Sequence, residues 1–314
     1  MRALVTGGAG FIGSAVVENL AAHGYEVYVV DDLSTGRLPN LDDARRRGGV
    51  QFHRFDIRSD RLRELFDQVK PEVVLSLAAQ ASVPASVADP VHDAEVNIVG
   101  LIRVLDACVS SGVRKIVHAQ SGGTIYGAQK KMPISETAKG RLASPYGISK
   151  RAAEDYLRYY ADEHELDFTS LALANVYGPR QDPHGEAGVI AIFAAKLARG
   201  AAPTIHGTGE QTRDFVYVED VAHAFVRACT TASGETVNIG SGVETTINDL
   251  YRAMADAADY PGEPHRGPER PGDLLRNALD VSKAGRVLDW KPWTPLSEGL
   301  RTTIAWFRRD GGAA

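Results

Sequence analysis

Short apolar runs alternate with longer stretches of helical periodicity through the first half of the chain. The runs Ala3–Thr6, Glu26–Val30, Val50–Phe55, Val73–Leu77, Lys115–His118 and Phe168–Ala174 read as strands. Most are apolar at successive rather than alternate positions, as parallel strands covered on both faces require. Helical patterns fill the intervals at Ile12–His23, Arg61–Val69, His92–Ser110 and Ser149–His164. Regular strand–helix alternation predicts an α/β fold built on a doubly wound parallel sheet.

Past Tyr177 the texture changes. Residues 178–185, Gly-Pro-Arg-Gln-Asp-Pro-His-Gly, form a turn-rich break. Helical patterns follow at Val189–Arg199, Glu219–Cys229, Ile247–Asp259 and Ser297–Arg309, with a loop expected over Pro261–Pro271. In the last helix Leu300, Ile304 and Phe307 fall at i, i+4, i+7, a stripe suited to docking it. These patterns suggest a first domain over 1–174 and a smaller C-terminal α/β substrate domain over 175–314, with strands possible to exchange between them.

Composition narrows the function classes. The 314 residues include 44% hydrophobic and 24% charged positions, an ordinary globular balance. Thirty-five Lys+Arg against forty Asp+Glu leave a net charge of −5, the wrong sign for a nucleic-acid binder. Cys108 and Cys229 cannot build a disulfide framework, which points to a reducing, cytoplasmic setting. No apolar run reaches the ~18 residues of a membrane span, and glycines break the N-terminal apolar stretch where a signal peptide would need continuity. The nine histidines show no paired ligand spacing, so no metal is expected.

Chemistry enters at the first strand–helix junction. Thr6-Gly-Gly-Ala-Gly-Phe-Ile-Gly13 follows a strand and opens a helix, the Rossmann-type arrangement that lets a pyrophosphate approach backbone N–H groups. Asp31 ends the second strand, where a carboxylate accepts from ribose hydroxyls and repels a 2′-phosphate, favouring NAD over NADP. Asp32 reads equally as a solvated loop residue. Asp56 ends the third strand and suits either adenine or a helix cap.

A second constellation lies in Ser144-Pro-Tyr-Gly-Ile-Ser-Lys150. Tyr146 and Lys150 are four apart and share a helical face. An ammonium beside a phenol favours the phenolate, making a base usable near neutral pH. Alone the spacing more often describes a surface pair; beside a dinucleotide turn it reads as chemistry.

Along its whole length the chain resembles the extended short-chain dehydrogenase/reductases, and within them the nucleotide-sugar 4-epimerases. The markers are Thr6–Gly13, Asp31-Asp32-Leu33, Asp56-Ile57, Leu77-Ala78-Ala79-Gln80, Asn97, Ser121–Gly127, Tyr146 with Lys150, Asn175–Arg180, Arg213–Asp220 and Arg270-Pro-Gly-Asp273. The resemblance implies NAD held by Gly7, Gly10, Phe11, Ile12 and Gly13 at the pyrophosphate. Asp31, Asp32, Leu33, Ser34, Thr35 and Gly36 would surround the adenosine ribose, and Asp56 and Ile57 the adenine. Leu77, Ala78, Ala79, Gln80 and Asn97 would line the path to the nicotinamide, whose ribose Lys150 would bond.

It further implies Tyr146 as the base. Asn175 and Arg213 would hold the sugar-nucleotide diphosphate, with Arg270 as a second clamp and Asp273 at the uridine ribose. Val189, Thr204 and His206 would enclose uracil. The implied activity is interconversion of UDP-glucose and UDP-galactose through a 4-keto sugar, by a homodimer. Asn277 stands where the family places a gate residue, and its small size leaves room for N-acetylated sugars. UDP-glucuronic acid 4-epimerisation is the alternative.

Two departures from the family bear on this. A serine common four residues before the tyrosine of the Ser/Thr-x-Tyr-Gly motif is here Gly122, leaving Thr124, or else Ser121, to assist proton transfer. Residues 81–86, Ala-Ser-Val-Pro-Ala-Ser, carry no cation for a sugar carboxylate. No acid pair precedes Tyr126, which disfavours a 4,6-dehydratase.

Overall fold

The computed structural model describes residues 1–184, 188–269 and 274–309. The first half runs β1 (Arg2–Thr6), α1 (Phe11–Ala22), β2 (Glu26–Asp31), α2 (Asp42–Arg47), β3 (Val50–Arg54), α3 (Arg61–Val69) and β4 (Val73–Ser76). Then come α4 (Val83–Ala88), α5 (Pro90–Ala94), α6 (Gly100–Ser111), β5 (Lys115–Ser121), α7 (Pro145–His164) and β6 (Asp167–Leu173). The second half adds β7 (Asn175–Tyr177), α8 (Val189–Leu197), β8 (Thr204–His206), β9 (Thr212–Arg213), β10 (Phe215–Tyr217) and α9 (Val218–Ala228). It closes with β11 (Glu235–Ile239), β12 (Thr245–Thr246), α10 (Ile247–Ala257), β13 (His265–Gly267), α11 (Ser282–Val287) and α12 (Leu296–Arg309).

Seven strands form one sheet in the order β11-β6-β5-β4-β1-β2-β3, and every pairing is parallel. The doubly wound sheet expected from the apolar runs is therefore present. Strand order reverses between β1 and β4, the switch point where such sheets open a crevice at their carboxyl ends. One core layer packs Val16, Leu20, Val221 and Phe225 of α1 and α9 on one face. The other packs Phe66, Leu105 and Leu157 of α3, α6 and α7 on the opposite face. A third cluster joins α8, α10 and α12 through Phe193, Leu250, Met254, Leu300, Ile304 and Phe307.

Several boundaries differ from the expected ones for local reasons. α7 begins at Pro145 rather than Ser149, because Ser144 Oγ accepts from Gly147 N at 3.1 Å and proline is pre-set for the first turn. β5 runs on to Ser121, since Ala119–Ser121 keep pairing with Leu171–Leu173 after β4 has ended. The helix expected over His92–Ser110 is broken by a π-helical turn at Glu95–Val99. Within the expected loop 261–271, His265–Gly267 pairs with β8. The strand at 235–239 has no counterpart in the apolar reading: Thr236 and Asn238 interrupt the run, yet it lies against β6.

Candidate active site

The junction between β1 and α1 is shaped by backbone proximity. Gly7 has φ +70°, and a Cβ there would lie 2.6 Å from Ala78 N. A Cβ on Gly13 would lie 2.0 Å from the Gly7 carbonyl oxygen. Only glycine allows α1 to start this close to β1 and β4. Gly10 is the N-cap of α1 and no side chain caps the helix. Its first N–H groups and the positive end of its dipole are therefore available to an anion. They open on a cleft of about 1180 Å³.

Of the expected cofactor residues, Gly7, Gly10, Phe11, Ile12, Gly13, Asp31, Asp32, Ser34 and Thr35 line that cleft. So do Asp56, Ile57, Leu77, Ala78, Ala79 and Gln80. Asp31 is 7% exposed and accepts from Ala9 N and Leu33 N, both at 2.9 Å. Burial pushes its carboxyl up, while these N–H bonds oppose the shift. Leu33 and Gly36 act through Asp31: Leu33 turns at φ 64° to donate, and a Cβ at Gly36 would sit 2.7 Å from the carboxylate. Asp32 accepts from Ser34 N and Oγ in a tight turn. Asp56 caps no helix. It accepts from Arg58 N at 2.7 Å and from the guanidinium, which holds its carboxyl below the usual range.

Tyr146 and Lys150 lie one turn apart on α7, 9% and 5% exposed. Tyr146 N donates to Ser86 Oγ at 3.1 Å, pinning the start of the helix to α4. Lys150 Nζ donates at 3.0 Å to the carbonyl of Ala119, a residue of the cleft wall. Burial raises the Tyr146 phenol to about 12, and a hydrogen bond with the Ser121 side chain works against that rise. Burial lowers the Lys150 ammonium to about 8, and Asp93 works against that fall. Thr124 Oγ1 is buried without a partner among the described residues. The glycine at 122 has a packing cause: a Cβ would lie 2.5 Å from Leu279 Cδ1. Tyr126 is structural, its hydroxyl donating to Asn238 Oδ1 at 2.6 Å.

Asn97 does not line the cleft. It accepts from Gln80 N at 3.0 Å and donates to Gln80 O at 2.9 Å, fixing the wall from behind. On the second half, Asn175 starts β7, Val189 starts α8, and Thr204 and His206 bound β8. Arg213 Nη1 donates to the carbonyls of Thr212 and Leu274, both at 2.7 Å. Asn277 is 3% exposed, with Oδ1 unpartnered among the described residues. Arg270 and Asp273 lie outside the described residues.

Sequence reasoning missed the supports. Ser86 and Ser82 fall at i, i+4 within the stretch noted only for lacking a cation; Ser82 Oγ caps α4. Arg180 crosses to α1, pairing with Glu18 at 2.6 Å and donating to Ser14 Oγ at 3.3 Å. Asp214, fully buried, accepts from Ser241 N and Oγ, Gly242 N and Leu279 N. Its place between Arg213 and Phe215 was the available signal.

The glycine cradle, the uncapped helix start and the acid at the end of β2 together fit a dinucleotide. Comparison with known proteins agrees. The profile of the NAD dependent epimerase/dehydratase family matches residues 3–240. A UDP-glucose 4-epimerase from Mycolicibacterium smegmatis is 48% identical over 309 residues, covering 98% of this chain and 99% of that protein. The solved UDP-glucose 4-epimerase of Thermotoga maritima, with UDP-glucose, is 44% identical with a TM-score of 0.94, covering 98% of this chain and 99% of that one. That of Thermus thermophilus, complexed with NAD, is 44% identical with a TM-score of 0.91 over 100% of both chains. The chain belongs to the NAD dependent epimerase/dehydratase family, the extended short-chain dehydrogenase/reductases.

Proposed function

We propose that this protein is an NAD-dependent UDP-glucose 4-epimerase, interconverting UDP-glucose and UDP-galactose. The observation that carries the reading is the Tyr146–Lys150 pair, buried on α7 with Lys150 bonded to the cleft-wall residue Ala119, in a chain 48% identical along its length to an epimerase of that specificity.

Bound NAD supplies hydride acceptance from C4 of the hexose and return to its opposite face. Gly7, Gly10 and Gly13 leave room for the pyrophosphate, the start of α1 donates to it, and Asp31 accepts from the adenosine ribose. Tyr146 Oη takes the proton of the sugar 4-hydroxyl and returns it after the 4-keto sugar has turned over. Lys150 biases that phenol toward phenolate by its charge. Ser121, bonded to the phenol, and Thr124, whose hydroxyl has no other partner among the described residues, supply the polar contacts around O4. Inversion needs a firm hold on the nucleotide and a loose hold on the hexose. Asn175, Val189, Thr204, His206, Arg213, Arg270 and Asp273 are assigned to the nucleotide side.

Residues 1–174 are read as the NAD-binding part and 175–314 as the sugar-nucleotide part, with α9 and β11 returning to the large sheet. Asn277 beside the hexose leaves room for a 2-acetamido group, so UDP-N-acetylglucosamine is a further substrate; absence of its turnover would remove this part. The glucuronate alternative is not favoured, since 81–86 offer no cation. A homodimer in a cytoplasmic setting completes the reading. It is supported by exposed Val91, Ile148 and Tyr159 on α5 and α7 and by two buried free cysteines. A monomer in sedimentation equilibrium would refute the dimer.

The test is C4-deuterated UDP-glucose. Deuterium is expected back at C4 of UDP-galactose, and its loss to free NADH would overturn the internal-return scheme. Tyr146→Phe is expected to abolish turnover with little change in nucleotide affinity.

A further inference from the structure

Behind the Tyr146–Lys150 helix lies a buried polar cluster to which the proposed reaction gives no task. Its one formal charge is Asp93 on α5, 1% exposed and in no ion pair among the described residues. A carboxylate taken out of water without a cation is costly unless hydrogen bonds and a facing positive charge offset it. Asp93 Oδ1 accepts from Gln80 Nε2 at 2.8 Å and from Asn97 Nδ2 at 3.0 Å. Asn97 also contacts Ser149 Oγ at 3.3 Å, and that hydroxyl donates to the Tyr146 carbonyl at 3.0 Å.

Two segments therefore meet at one carboxylate, the cleft wall at Gln80 and the π-helical turn at Glu95–Val99, and α7 joins them through the Asn97–Ser149 contact. Such turns are frequent at functional sites. Here the turn leaves Asn97 and Asp93, four residues apart, bonded to each other on the inner side. The groups facing Lys150 are few. On β5 there is His118, 3% exposed and held neutral by burial and by Lys150 itself, and on α5 there is Asp93, while Tyr146 lies one turn earlier on α7. Burial drives Lys150 toward losing its proton and Asp93 is the charge that resists.

We propose that Asp93 is a positioning residue for the proton-transfer pair: its buried carboxylate holds Gln80 at the cleft wall and Asn97 behind it, and Asn97 in turn meets Ser149 on the helix that carries Tyr146 and Lys150. The proposal rests on Tyr146 and Lys150 being the working pair. Its charge and its hydrogen bonds are separable. Asp93→Asn keeps an oxygen to accept from Gln80 and Asn97 and removes the charge; Asp93→Ala removes both.

Without the carboxylate, the buried Lys150 releases its proton at lower pH. Tyr146, no longer repelled by Asp93, forms phenolate at lower pH in any given charge state of Lys150. The NAD-bound enzyme carrying Asp93→Asn is therefore expected to show both limbs of its kcat/KM profile moved toward acid by about one pH unit, the scale for a nearby charge in a buried site. A merely structural role would lower the profile without moving its limbs.

The independent readout is ultraviolet difference titration of the NAD-bound protein, taking the phenolate component that disappears in Tyr146→Phe. It is expected to shift to lower pH in Asp93→Asn, and it needs no turnover. If the wild type failed to epimerise any UDP-sugar, the proposed function would fall while this titration still judged Asp93. Coincident titrations of wild type and Asp93→Asn would overturn the proposal. Should Asp93→Asn not fold, Asp93→Ser, small and neutral, is titrated against the same criterion.

Discussion

Thr124 sets stability and activity against each other in one side chain. Its Oγ1 is buried with no partner among the described residues. A hydroxyl withdrawn from water without a replacement hydrogen bond costs roughly 1–3 kcal/mol. Valine has nearly the same shape and no hydroxyl. Thr124→Val is therefore expected to stabilise the substrate-free protein by about 1 kcal/mol, taking the low end because the new methyl must still fit. For a domain of roughly 150–250 residues 1 kcal/mol moves the midpoint by about 2–4 °C, so a rise of about 2 °C is expected for this longer chain. The same hydroxyl is assigned to O4 of the reacting sugar. Losing one such donor typically lowers kcat by roughly 10²–10³. Thermal unfolding without substrate and steady-state turnover of UDP-galactose give the two numbers. A variant less stable than wild type yet equally active would refute the reasoning, because the hydroxyl would then have an unrecognised structural partner and no chemical one.

Lys150 carries a related penalty with a pH signature. Burial holds it at about 8, below the ~10.4 of a free lysine, so across that window the unfolded chain binds more protons and stability rises with pH. Lys150→Met should remove that slope, stabilise the protein near neutral pH by no more than about 3 kcal/mol, and abolish turnover; urea melts at several pH values check the sign. Asp214→Ala strands four donors, from Ser241 N and Oγ, Gly242 N and Leu279 N, and is expected to cost about 4 kcal/mol or more in urea unfolding. Gly13→Ala places a Cβ 2.0 Å from the Gly7 carbonyl oxygen, so the purified variant should have lost most of its NAD affinity by fluorescence titration; wild-type affinity would contradict the role given to that approach.

Strands buried on both faces announce themselves through runs of successive apolar residues; that made β1, β2, β4, β5 and β6 readable. The glycine turn was readable for a related reason, since close backbone approach admits no other residue. Tyr146 and Lys150 were readable because an i, i+4 spacing is local geometry. β11 was not. Asn238 on that strand is spent on Tyr126, Ile134 and Asp280, partners more than forty residues away, so its polarity hides a buried strand. His265–Gly267 is a strand only because Thr204–His206 lies alongside it.

The chain by itself determined the layering of the sheet, the dinucleotide turn, the acid at the end of β2 and the pairing of phenol with amine, all set by short-range sterics and periodicity. Tertiary structure alone decided that Ser86 pins Tyr146, that Asn97 works behind Gln80 rather than in the cleft, and that Gly122 is glycine because Leu279 stands against it. Those relations join residues far apart in the chain, and burial, which gives each buried polar group its cost and each partner its value, exists only once the layers have closed.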